Sequence, residues 1–135
     1  MLEFKTIRGH IVNRYQITDD GDLSLRIILE VGEIGRTQGI ALCETERGDG
    51  SKYLYLNTPV AEMRRIDPKT CLKINLMQPI GHLALTDIED TPYVVMCHMM
   101  PYNNLTFEDL DYTIHYLAAT ADRLENGIMD GEDLY

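Results

Sequence analysis

Apolar residues from Leu110 onward recur at alternating steps of four and three: Leu110, Ile114, Leu117, Ala121, Leu124 and Ile128. That spacing lines one side of an α-helix, so one face must be buried. Thr106 stands where a side-chain oxygen can cap the first turn, Asp109 follows as the capping-box acid, and Leu105 and Leu110 occupy the staple positions. The pattern predicts a helix over 105–128, stopped by a left-handed Asn126-Gly127, with Glu108, Asp111, Asp122 and Glu125 on the solvent side.

Upstream the period changes to two. Leu23, Leu25, Ile27, Leu29 and Val31 alternate with Ser24, Arg26 and Glu30, which predicts a half-buried strand. A second strand starts at Ile40 and runs to about Glu46. The hairpin loop 47–51 then returns the chain through 52–57, with Leu54 and Leu56 on one side and Tyr53 and Tyr55 on the other, before Pro59 ends the run. Residues 3–16 fit neither period cleanly; their β-branched Thr6, Ile7, Ile11 and Val12 favour strand. Asp67-Pro68 opens a short helix of about ten residues, given by Leu72 and Leu76 with Cys71, Ile74 and Asn75 to the side, and Pro79 marks the stop. Residues 80–86 and 93–100 form two strands around the polar loop 87–92. Both are apolar on each face and are therefore expected in the middle of the sheet. The fold class is α+β: an antiparallel meander packed with a short middle helix and the long C-terminal helix. One domain over 1–129 is expected, with 130–135 as an acidic tail.

Charge narrows the partners. The chain of 135 residues carries a net charge of -10, and seven of those charges fall after Leu105, where Arg123 is the one base among eight acids. Phosphate binding needs a basic patch, so nucleic acid is not expected. No apolar run is long enough to span a bilayer, and the start Met1-Leu2-Glu3-Phe4-Lys5 lacks the form of a secretion signal, so a cytoplasmic protein away from membranes is expected. Cys43, Cys71 and Cys97 are an odd number with no metal or redox spacing, and are expected as reduced, buried thiols.

Catalytic patterns are weak. The stretch Gly32 to Gly39 lacks the Gly-Lys-Ser/Thr ending of a phosphate loop and leads into a strand. Asp19, Asp20 and Asp22 lack the ligand spacing of a calcium loop. His82, His98 and His115 are the candidates for a metal or catalytic site, but Cys97 and His98, as strand neighbours, face opposite ways. His115 follows Asp111 by one helical turn, as a surface pair would. No enzyme activity, metal or cofactor is expected.

What remains is surface. Tyr112 and Tyr116 make a second stripe on the long helix, Tyr53 and Tyr55 share one strand face, and Met63, Met100 and Met129 add adaptable apolar area suited to a protein contact. Met96 and Met99 are expected in the core. Tyr53, Tyr55, Tyr112, Tyr116 and Met63 are the candidate partner-binding residues.

Several segments, in order, resemble the YbjN-like proteins, which share the fold of the type III secretion chaperones. They are Tyr55-Leu56-Asn57-Thr58-Pro59-Val60, Leu72-Lys73-Ile74-Asn75, Gly81-His82-Leu83-Ala84-Leu85, a strand ending at Met100-Pro101, and Ala118-Ala119-Thr120-Ala121-Asp122-Arg123-Leu124-Glu125. The likeness spans about residues 36 to 130 and includes Arg36-Thr37-Gln38, similar to the Arg-x-Gln that opens a strand in that group. It implies a compact α+β domain, a homodimer, no cofactor and a protein ligand. Those chaperones begin with a helix, where the residues here favour strand. The expected function is a non-enzymatic domain that holds a segment of a partner protein. The alternatives are an adaptor binding a folded signalling partner through its acidic helix, or a small-ligand or enzymatic pocket near His82 and His98.

Overall fold

The computed structural model describes residues 2–32 and 35–130, the last three by backbone alone. Ile128 and Met129 of the expected apolar surfaces, and tail residues 131–135, therefore lie outside the described side chains or residues. Among the described residues a single antiparallel sheet holds β1 (Gln16–Asp20), β2 (Ser24–Glu30), β3 (Thr37–Glu46), β4 (Lys52–Glu62), β5 (His82–Ile88) and β6 (Thr91–Pro101). Their spatial order is β1-β2-β3-β4-β6-β5. The helices are α1 (Phe4–Val12), α2 (Pro68–Met77) and α3 (Phe107–Asp130), with a short 3-10 turn at Met63–Arg65. The α+β meander is thus present, with β6 inserted between β4 and β5.

One face of this sheet supplies the core. Leu25 and Ile27 of β2, Ile40 and Leu42 of β3, Leu54 and Leu56 of β4, and Met96 of β6 join one buried cluster with Leu110, Ile114, Leu117, Ala121 and Leu124 of α3. The expected capping holds: the Asp109 N–H donates to Thr106 Oγ1 at 3.1 Å. Asn126-Gly127 does not stop the helix, which runs on to Asp130.

Residues 4–12 correct the strand reading. Phe4, Ile7 and Ile11 fall on one helical side and are buried, while Val12 is exposed. Packing of that stripe against the core overrides the β-preference of the branched residues. Arg8 of α1 clamps the acidic turn, reaching Asp20 Oδ1 at 3.2 Å and the carbonyls of Gly21 and Asp22.

Pro59 does not end β4; it sits at a register shift between Pro59 and Ala61, where a strand tolerates a missing donor. Buried Gln38 holds this bulge. Its Nε2 donates to Thr58 Oγ1 at 2.6 Å and to the Pro59 carbonyl at 3.0 Å, while the Thr58 hydroxyl donates to the Gly39 carbonyl. Arg36 reaches Asp122 of α3 at 2.6 Å, so the Arg-Thr-Gln triplet ties the start of β3 to both the bulge and the long helix.

The expected loop 87–92 is also shorter than its polarity suggests. Glu89 and Asp90, at φ 49° and 65°, make a two-residue turn, and the neighbouring residues pair in the ladder. β6 is interior as expected, whereas β5 is an edge. In α2, Pro68 takes the first helical position, but Asp67 makes no side-chain cap. The helix forms over Pro68–Met77, and its burial falls to the side of the leucines. Leu72 and Leu76 are 70% and 89% exposed, and Ile74 is the buried residue. Asn75 explains that rotation: its Oδ1 accepts from the Leu83 N–H at 2.6 Å and its Nδ2 donates to the Leu83 carbonyl at 3.2 Å, so the side chain pairs with the sheet edge like a fragment of strand.

Candidate protein-binding surface

Because α1 and α3 take one face of the sheet, the alternate residues of every strand fall on the other. Two cross-strand rows define that face. One runs Arg26–Ala41–Asn57–Cys97–His82, the next Ser24–Cys43–Tyr55–Met99. Tyr53 opposite Thr45, and Val95 opposite Ala84, extend it. Small residues at Gly39 and Ala41 leave a concavity of about 330 Å³ between Arg26, Tyr55 and Ile88. No helix among the described residues joins this face to the core cluster. Met99, expected in the core, is 47% exposed here, a correction that follows from its register opposite Tyr55.

The five candidate residues are divided by the fold. Tyr53 and Tyr55 lie on this uncovered face. Tyr53 accepts from Arg47 at 2.7 Å, and burial, followed by the neighbouring Cys97, pushes the Tyr55 phenol up to about 12. Tyr112 and Tyr116 stack on each other on α3, with centroids 6.3 Å apart, and the Tyr116 hydroxyl donates to Gln78 beyond α2. Met63 lines a separate groove beside α2.

The histidines do not assemble a site. His82 pairs with Cys97 on the uncovered face, Nε2 to Sγ 3.3 Å, while His98 pairs with Leu56 on the helix face and accepts from the Gly81 N–H at 3.1 Å. Burial, with His82 nearby, lowers the His98 pKa. Cys97 is buried and its thiol is pushed up by burial, the opposite of what a nucleophile needs. Cys43 and Cys71 are free and only half-buried, which corrects the expectation for those two. Among the described residues no three His, Cys, Asp or Glu side chains are grouped to hold a metal ion.

His10, on which sequence patterning gave no signal, is the partner of Asp111. Its Nε2 lies 3.0 Å from the carboxylate, Tyr15 donates to Asp111 at 2.7 Å, and Arg14 stands at 3.4 Å. The His10 ring stacks on Phe107, 4.2 Å between centroids. His115 instead contacts the Asp111 backbone carbonyl, so the expected surface pair is not made. Asp111 and Asp122 are thus held by partners rather than turned to solvent. Burial opposes ionisation of Asp111, but the hydrogen bonds of Tyr15 and His10 and the nearby charges outweigh it and leave the carboxyl below its ordinary range. Such a carboxylate stabilises the fold above about pH 4, and this contribution is lost as pH falls through the lowered value. Asp111→Asn is expected to cost about 1–2 kcal/mol at pH 7 by urea unfolding, with the difference from wild type shrinking toward pH 3.

Comparison with protein-family models, with curated proteins and with solved structures finds no match. Among the described residues no helix is long and apolar enough to cross a membrane.

Proposed function

We propose that this chain is a non-enzymatic protein-binding domain of the cytosol, which pairs with a second copy of itself and holds a segment of a partner protein. The observation that carries the reading is the uncovered sheet face, where half-buried Tyr55 and exposed Met99 stand beside buried Val95 and Cys97 within a polar rim of Arg26, Ser24 and His82. A solvated antiparallel sheet ordinarily alternates apolar-in with polar-out. The N-terminal helix adds support, since the chaperones that this sequence resembles also begin with one.

Met99→Glu places a charge beside Tyr55, at the end of its row on that face, without touching the core. Light scattering is expected to give twice the chain mass for the wild type and a single chain mass for Met99→Glu, with unchanged circular dichroism. A wild type that stays monomeric, and whose β4 and β6 gain no protection from hydrogen exchange in cell extract, would overturn the reading.

A further inference from the structure

A second surface lies on the opposite side, between α2 and the edge strand β5. Met63, Cys71, Leu72, Leu85 and Val94 line an apolar groove of about 270 Å³. Leu85 is 62% exposed, and Leu76 and Met77 continue the apolar strip along α2. In an antiparallel ladder alternate residues of an edge strand turn their N–H and C=O groups outward. Asn75 engages those of Leu83, so the outward groups of Leu85 and Asp87 follow along the groove. This is a place for an extended chain, with backbone pairing on one side and apolar pockets for alternate side chains.

Charge selects what kind of chain. Residues 64–73 hold four basic side chains against Asp67, and the facing strand β5 adds Asp87 and no lysine or arginine, so the two walls together carry a net of two positive charges in a protein of net charge -10. Arg64 pairs with Glu62, but Arg65, Lys69 and Lys73 are exposed and form no ion pair among the described residues. Lys69 is one turn from Leu72 and Lys73, which puts a basic rim beside the apolar floor. A second copy related by a twofold axis would set that rim against itself, and like charges across a contact are unfavourable. We infer that the groove between α2 and β5 docks an extended acidic segment of another protein, with apolar residues at alternate positions. The inference rests on the protein-binding reading but not on the uncovered sheet face.

Three fluorescein-labelled octapeptides test it, each with leucine at alternate positions and glutamate, serine or lysine at the others. By fluorescence anisotropy the full chain is expected to bind the glutamate peptide at least tenfold more tightly than the serine peptide, and the lysine peptide not at all. The double variant Lys69→Glu/Lys73→Glu is expected to reverse this order, whereas Met99→Glu is expected to leave it unchanged. Affinity for the glutamate peptide should also weaken steeply with added salt. No saturable binding, or binding indifferent to peptide charge, overturns the inference and leaves the dimer measurement standing. Loss of the peptide in Met99→Glu alone would move the segment to the sheet face. Loss of the dimer in the double lysine variant would make the groove a self-contact instead.

Discussion

Ile74→Ala is expected to destabilise the domain by about 2–5 kcal/mol, while Leu76→Ala, two residues away, is expected to change stability by less than about 0.5 kcal/mol. Ile74 is fully buried in the core cluster, so truncation removes its contacts and leaves a cavity that the sheet cannot readily close. Leu76 lies almost wholly in solvent. Urea unfolding of both variants measures the difference. Equal losses would mean that α2 is rotated from the orientation that Asn75 imposes, and would remove the apolar strip on which the groove depends.

Gly81→Ala is expected to cost about 2–5 kcal/mol. The residue has φ +80°, where a side chain is strained by about 1–2 kcal/mol, and a Cβ would stand 2.7 Å from Leu117 Cδ2 and 3.1 Å from the Cys97 carbonyl. Overpacking of this kind adds about 1–3 kcal/mol. Gly50→Ala supplies the control: its φ is +86°, but a Cβ there meets nothing within 4 Å, so it reports the backbone term alone. The difference between the two, by thermal or urea unfolding, measures how closely α3 lies on the turn that launches β5. Equal losses would mean that the contact with Leu117 relaxes without cost.

What was legible in the sequence followed from how many residues repeated the same message. Six apolar positions and a cap specified α3, and the Leu/Tyr alternation of 53–56 correctly separated the core face of β4 from the uncovered one. The stripe on α1 has three residues, too few to outweigh the local preference of Thr6, Ile7, Ile11 and Val12. Glu89-Asp90 was hidden because it makes a tight turn without glycine, holding two ordinary residues at positive φ. β5 was placed centrally because apolar residues occur on both its faces, but at an edge the core-side face that carries Leu83 and Leu85 runs past the core and becomes a groove wall. Leu72 and Leu76 marked the helix but not its buried side, because leucines at helical spacing do not by themselves say which face meets the core. The His10–Asp111 contact joins residues 101 positions apart and leaves no local pattern at all.

The two borders of the sheet set a limit on assembly. At β1 the ladder shifts register between Ile17 and Asp19, and Asp19 and Asp20 place carboxylates along the outer strand. At β5 the Asn75 amide occupies the backbone groups of Leu83. A sheet with one apolar face and two open borders would template further strands without end, as fibres do. Here strand addition is opposed by charge at β1, while at β5 Asn75 takes the backbone groups of Leu83 and leaves only those of Leu85 and Asp87 for one short segment.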